Sequence, residues 1–263
     1  MVRVSPRVEY WRDKRRRGEL LLAAACASAT EAEACLALAP DLILYHPGFT
    51  PEAGGDTGML AALAPLGNAN EAAALGLPRL AELCAPCPMA MGACGSDPFL
   101  LPGPAFAAWR AAGLEGIANF PTLGQVDGFF RAELESAGLG VASEIAFLRA
   151  AHAAGFFTVG FACAPEDAAA CAGAGCDALI VHLGLASDYT PKPLSAARAA
   201  WPAYPEATRG KDGTGPLLLL HGDHLSAPAD EVAFKGLASE GCDGVFAAGG
   251  PERVKALRPL AAG

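Results

Sequence analysis

Apolar residues in this chain come in short continuous runs, each followed by a loop and then an alanine-rich stretch of helical length. The runs are ELLLAAAC (19–26), DLILYH (41–46), PMAMGA (88–93), GIANF (116–120), FFTVGFA (156–162), ALIVHL (178–183), PLLLLH (216–221) and GVFAA (244–248). Continuous runs suit parallel strands buried on both faces, whereas sheets with one wet face alternate apolar and polar positions. Eight such strands alternating with helices over 263 residues predict an α/β fold, the (β/α)8 TIM barrel. The competing architecture is an open doubly wound sheet, but no G-x-G-x-x-G follows the first run.

Punctuation between the runs supports repeated βα units. AGLEGIANF (112–120), AGCDALIVH (174–182) and EGCDGVFAA (240–248) each read as helix end, Gly, apolar residue, acid, small residue, strand. Glycine supplies the left-handed position that ends a helix, so Cys176 and Cys242, which follow it, are read as packing residues. Pro165-Glu-Asp and Pro228-Ala-Asp-Glu place proline and carboxylates in first turns, where the helix dipole favours negative charge. After strand four the chain is longer than a usual connection. Phe129 to Ala137 predict a short helix, GLG (138–140) stops it, and a second helix starts near Val141. Residues 1–18 are expected to form a helical extension and residues 19–263 the barrel domain.

Charge narrows the function. The net charge is −9, and seven of the 19 Lys and Arg lie in the first 17 residues, including RDKRRR (12–17). A strongly acidic remainder argues against nucleic acid as a partner, and the basic cluster is read as a solvated helix rather than a DNA-binding arm. The apolar run from Leu20 to Ala27 is too short to span a bilayer and leads into Glu31 and Glu33, so no membrane partner is expected. Nine cysteines without a signal-peptide pattern point to reduced thiols and a cytoplasmic location. Cys84-Ala-Pro-Cys87 is a lone C-x-x-C without the second pair a zinc site needs. Alanine-rich helices permit close subunit packing, and a homo-oligomer is expected.

In a TIM barrel the chemistry gathers where strands end and βα loops begin. There the sequence places His46 after strand two, Cys94-Gly-Ser-Asp97 after strand three, Asn119 after strand four, His182 after strand six and His221-Gly-Asp-His224 after strand seven. The fifth histidine, His152, falls inside a helical pattern and reads as structural. Strands six and seven are neighbours, so His182 and His221 are expected to face one another. The loop 118–128 adds Asp127, read either as a site residue or as a helix N-cap, and the helix behind it carries Glu144. AAGGPER (247–253) offers Gly249 and Gly250 ahead of a helix, a place where free N–H groups bind phosphate, or a bare turn. Imidazoles with a carboxylate suit zinc, and Asp97 or Glu144 would suit magnesium, so a divalent metal (Mg or Zn) is one reading of the cluster.

PLGNANE (65–71), GACGSDPF (92–99), GIANFPTLGQVDGFFRAELESAGLG (116–140), SEIAFLRAAHAAG (143–155) and HLGL (182–185) resemble the phosphoenolpyruvate-hydrolase-like TIM-barrel family. The family is also described as TIM-barrel signal-transduction proteins and belongs with the phosphoenolpyruvate/pyruvate superfamily. The resemblance implies chemistry beside an enolate. It also implies functional roles for Asn70, Cys94, Asp97, Asn119, Asp127, Glu144, His182 and His221. The chain departs from the family where HPGFTPEAGGDTGM (46–59) lacks the arginines usual after strand two. It departs again at HGDHLSAP and AAGGPER, with His46 and His224 as candidate replacements.

The resulting expectation is a lyase or hydrolase that cleaves a C–C, C–O or C–P bond of a small 2-oxo acid or 1,3-dicarbonyl substrate through an enolate. Glu144 or His221 would move the proton. Asn119 and His182 would donate to the developing oxyanion. Asp97, Asp127, Cys94, His46, His224, Gly249 and Gly250 would bind substrate. The alternative is a non-catalytic metabolite-sensing barrel that uses the same mouth without a base.

Overall fold

The computed structural model describes residues 5–48, 68–185, 190–210, 214–225 and 230–261. Every predicted strand is present: β1 Leu21–Cys26, β2 Leu42–Tyr45, β3 Met89–Gly92, β4 Gly116–Ala118, β5 Phe157–Ala162, β6 Ala178–Val181, β7 Leu217–His221 and β8 Gly244–Ala247. All pair in parallel with their sequence neighbours, and β8 pairs with β1 (Leu21 opposite Gly244) to close the barrel. Helices alternate with them: α1 Pro6–Arg16, α2 Ala29–Leu36, α3 Ala69–Leu83, α4 Pro102–Ala111, α5 Gly128–Ser136, α6 Val141–Ala153, α7 Pro165–Gly173, α8 Leu194–Ala197, α9 Ala203–Thr208, α10 Glu231–Ser239 and α11 Gly250–Ala261. The connection after β4 is the extended helical one expected, a single 3-10 turn (Leu123–Gln125) followed by α5 and α6.

Apolar side chains divide into two layers by strand parity. Leu42 and Leu44, Ala118 and Phe120, Phe157, Val159 and Phe161, Ala178 and Ile180, and Leu217 and Leu219 fill the barrel interior. Their alternates, such as Ile43, Ile117, Leu179 and Leu220, face outward and pack with helix residues such as Leu77 and Leu148. Phe120, Phe161 and Phe246 bring aromatic rings into the interior near the strand C-termini.

The basic N-terminal helix is neither a free arm nor simply solvated; α1 lies across the N-terminal end of the barrel. Val8 and Trp11 enter the interior cluster, and the Trp11 ring meets Phe157 edge to face at 5.2 Å. Its cations pair with acids that precede the even strands: Lys14 with Asp41 (2.9 Å), Arg7 with Glu115 (3.4 Å) and Arg12 with Asp177 (3.8 Å). The three aspartates at this end also tie adjacent strands together. Asp41 accepts from Leu22 N (2.9 Å), Asp177 from Thr158 N (3.0 Å) and Asp243 from Leu218 N (2.8 Å). Asp41 and Asp177 are thus strand clamps that double as the seat of α1, whereas Glu115 only pairs with Arg7 and Asp243 clamps β7 while paired with Arg209.

Candidate active site

Counting parity along each strand places the histidines. His46 continues the inward set Leu42, Leu44; His182 continues Ala178, Ile180; His221 continues Leu217, Leu219. All three are buried at the strand C-terminal end, where β2, β6 and β7 open into loops. A row of aromatic contacts joins them across the barrel: His46 to Phe120 (5.3 Å between centroids), Phe120 to Phe161 (5.2 Å), Phe161 to Phe246 (5.6 Å) and Phe246 to His221 (5.3 Å). His182 stands 5.1 Å from His221, as their neighbouring strands require. Gly92 leaves room for this row, because a Cβ there would meet Phe120 O at 2.8 Å and the His46 Cβ at 3.1 Å.

The three rings share one local device. In each, Nδ1 accepts the backbone N–H two residues on: Gly48 for His46 (2.9 Å), Gly184 for His182 (3.2 Å) and Asp223 for His221 (3.5 Å). A neutral imidazole that accepts at Nδ1 carries its proton on Nε2. Burial pulls their pKa values down to about 4, 2 and 3 respectively, with neighbouring imidazoles adding to the effect at His182 and His221. Three neutral N–H donors result. Accepting a proton near neutral pH does not suit them, which corrects the expectation that His221 is the proton-moving base.

His224 differs. Its Nε2 accepts from Leu183 N (2.8 Å) and its Nδ1 meets Lys192 O (2.7 Å), so both ring nitrogens are spent joining the β6 and β7 loops. It positions those loops rather than binding substrate, and its ring lies 4.5 Å from His182. Around the pair stand three groups that the sequence analysis does not select. Arg253, in the first turns of α11, donates through Nη2 to Gly222 O and to Leu225 O (2.6 Å). Asp223 lies 3.6 Å from His221 Nδ1, and burial raises its carboxyl while Arg253 and His224 pull it back. Lys192 brings Nζ to 3.5 Å from where a Gly184 side chain would begin. Gly249 and Gly250, at φ +95° and +79°, turn the chain from β8 into α11 ahead of Arg253.

Asn119 and Glu144 meet each other, away from the histidines. Asn119 is in step with outward Ile117; its Oδ1 accepts from Phe161 N (2.6 Å) and its Nδ2 donates to Glu144 Oε2 (2.9 Å). Glu144, fully buried in the first turn of α6, also accepts from Thr122 Oγ1 (2.7 Å) and Leu123 N (2.7 Å). Burial pushes its carboxyl up to about 7 against those three donors. Both residues lie between sheet and helix. This corrects the expectation that Asn119 projects into the mouth and that Glu144 moves a proton there; their effect inside the barrel is to fix the loop that carries Phe120.

The remaining expected binding residues are committed to loop structure. Asp97 accepts from Asn68 Nδ2 (3.3 Å) and Asn70 Nδ2 (3.0 Å) on one oxygen and from Phe99 N (2.9 Å) on the other. Asn70 brackets the Cys94 backbone, accepting from its N (2.9 Å) and donating to its O (3.1 Å). The Cys94 thiol sits 3.4 Å from Ser96 Oγ, and burial raises its pKa, which suits packing rather than nucleophilic attack. Asp127 is exposed at the N-cap position of α5 without a side-chain cap bond, remote from the buried cluster in character. Cys84 and Cys87 are buried, with thiols pushed up to about 11 and about 12. Among the described residues no group of three or more His, Cys, Asp or Glu side chains is arranged to hold a metal ion. With Asp97 and Glu144 saturated by donors and His224 spent on loops, the described residues do not make the divalent site expected. The loop 46–59 falls outside the described residues beyond Gly48.

Known proteins resemble the chain in sequence and in fold. The ToMV resistance protein Tm-1(GCR237) of Solanum lycopersicum is 31% identical over 230 residues, 84% of this chain and 29% of that protein. The chain therefore spans less than a third of that relative's length. A phosphonopyruvate hydrolase, solved with oxalate and Mg++, superposes with a TM-score of 0.55 at 18% identity, covering 96% of this chain and 83% of that one. A 2,3-dimethylmalate lyase of the PEP mutase/isocitrate lyase superfamily gives 0.56 at 13% identity, covering 99% and 85%. Those two likenesses establish the barrel alone. A family model described as phosphoenolpyruvate hydrolase-like matches residues 8–261, and the chain belongs to that family.

Proposed function

We propose that the protein is a lyase or hydrolase that cleaves a bond next to the carbonyl of a small 2-oxo acid through an enolate. The single observation that carries this reading is the shared orientation of His46, His182 and His221, whose Nδ1 atoms are all turned to backbone N–H groups. Preorganised neutral donors in a water-poor site stabilise an oxygen on which charge develops, and each is worth ~3–4 kcal/mol in enzymes where it has been removed. His182 and His221, one on each of two adjacent strands, would hold the enolate oxygen. Arg253 and Lys192 would hold the substrate's anionic groups, in place of the arginines absent after β2.

The proton falls to Asp223. It is the carboxylate beside His221, and burial moves its pKa upward, toward the range in which a carboxylate both accepts and returns a proton. The bond cleaved, C–C, C–O or C–P, and a divalent ion as cofactor belong to this reading. So do a cytoplasmic setting and a homo-oligomeric state.

The test is incubation with 2-oxo acids bearing phosphono, acyl or hydroxyalkyl groups at C3, followed by NMR detection of released pyruvate. Oxalate, a planar dianion shaped like the enolate, serves as the binding probe. Turnover that is abolished in Asp223→Asn while oxalate still binds supports catalysis. Oxalate binding with no turnover of any substrate would leave the metabolite-sensing alternative.

A further inference from the structure

The basic cluster of the first helix is only partly consumed by the barrel floor. Lys14, Arg7 and Arg12 each face a carboxylate, while Arg16 pairs with Glu9 and Asp13, and Arg17 with Glu19. Arg15 has no such partner of its own. Its Nη1 donates to a carbonyl, Gly215 O (3.3 Å), and its charge is set among Arg209, Arg12 and Arg16, with Asp243 alone opposing. Burial and those like charges lower its pKa.

Arg15 and Arg209 line one open cleft of about 480 Å³ at the N-terminal end of the barrel, between α1, the entry to β8 and the end of α10. Arg209 is held flat against the chain: its Nη2 donates to Gly241 O (2.7 Å) and to Asp243 Oδ2 (2.9 Å). Gly241, at φ +96°, is what permits this, since a Cβ there would stand 2.4 Å from Arg209 Nη1. Arg209 Nε is buried with no hydrogen-bond partner among the described residues. The two other carboxylates at the cleft, Glu19 and Glu240, are taken by Arg17 and Arg198. Two guanidinium groups therefore share the single Asp243 carboxylate, a local cationic surplus in a chain of net charge −9.

We infer that this cleft is a second ligand site, distinct from the histidine mouth at the opposite end, and that it takes a small molecule through a phosphate group held by Arg15 and Arg209. Planar guanidinium forks match phosphate oxygens in pairs. The volume exceeds what a bare phosphate fills and lies in the range of small-molecule sites, so the ligand carries an organic portion.

Equilibrium dialysis with inorganic phosphate, and separately with phenyl phosphate, at constant ionic strength tests the site. Arg253→Gln combined with Lys192→Gln removes the mouth's two cations and isolates the cleft. In that background binding persists at one equivalent, Arg15→Gln weakens it at least tenfold, and phenyl phosphate binds more tightly than inorganic phosphate. Arg16→Gln, which removes an equal charge from a neighbouring residue paired with Glu9 and Asp13 outside the cleft, leaves it unchanged. Arg209→Lys keeps the charge but loses the fork, and it weakens binding without depending on the fold of the Arg15 variant. Absence of binding in the Arg253→Gln/Lys192→Gln protein overturns the inference, as does equal weakening by Arg15→Gln and Arg16→Gln.

Discussion

Asn119 Nδ2 donates to Glu144 Oε2 at 2.9 Å, and the pair sits on the outer face of the barrel wall with neither residue exposed. Asn119 also takes the N–H of Phe161 on the next strand, so one side chain ties β4, β5 and α6. One residue further on, Phe120 turns inward and touches both His46 and Phe161. The loop that looked over-equipped for a connection has an outward grip and an inward ring. Glu144→Gln offers one acceptor oxygen where the carboxylate offers two, and it turns an NH2 toward a donor. The expected loss is ~1–3 kcal/mol of stability in urea denaturation at pH 8. Turnover per folded molecule should fall far less than in Asp223→Asn.

The histidines set the acid limb of stability. Their folded pKa values, about 4 for His46, about 2 for His182 and about 3 for His221, lie below the unfolded value near 6.5. Below pH 6.5 the unfolded chain takes up protons that the folded one refuses, so stability falls as pH drops from 6.5 toward 4. Each ring contributes up to ~1.4 kcal/mol per pH unit in that window. Glu144, raised to about 7, acts in the opposite sense, because the folded state holds a proton that the unfolded chain releases between about pH 4.5 and 7. Three rings outweigh one carboxyl. Urea midpoints should decline from pH 6.5 to 4.5, and His182→Gln should flatten that decline.

Gly92→Ala probes the packing beneath the mouth. Its Cβ would press on Phe120 O and on the His46 Cβ, which belong to the two adjacent members at one end of the aromatic row. Overpacking of this kind costs ~1–3 kcal/mol. Oxalate binding should weaken more than tenfold while circular dichroism retains the helical signal.

Eight strands and their order were legible because a strand buried on both faces must be apolar throughout. The same continuity hid which residues face inward, since no alternation survives to set the parity. His46, His182 and His221 happened to be read on the correct face, whereas Asn119, one residue beyond its strand, was read on the wrong one. Counting by twos back from Asn119 to Ile117 would have warned of it only if Ile117 were known to face out. Asp223, Arg253 and Lys192 escaped selection for another reason: they reach the histidines from three separate loops, and loop geometry leaves no period in the sequence. The acids before β4, β6 and β8 form a pattern in the sequence, but the pattern does not name their partners, which for Glu115 and Asp177 are Arg7 and Arg12 on α1, 108 and 165 positions away.

The seat of α1 makes a separate prediction. Trp11 is almost fully buried, stacks on Phe157 and donates through Nε1 to Asp41 O (3.0 Å). Trp11→Ala should cost ~3–5 kcal/mol. Lys14→Gln, which leaves the Asp41 carboxylate without its cation while keeping its bond to Leu22 N, should cost ~1–3 kcal/mol in the same thermal or urea melts. Equal, negligible effects from both would mean that the helix contributes nothing to holding the barrel end.

The most direct test of the enolate reading is exchange of the pyruvate methyl protons in D2O, followed by loss of their NMR signal. Wild-type protein should accelerate exchange, His182→Gln should slow it by ~100- to 1,000-fold, Asp223→Asn should abolish it, and folded Glu144→Gln should retain it. No acceleration by the wild type, or exchange that survives in Asp223→Asn and vanishes in folded Glu144→Gln, would contradict the account.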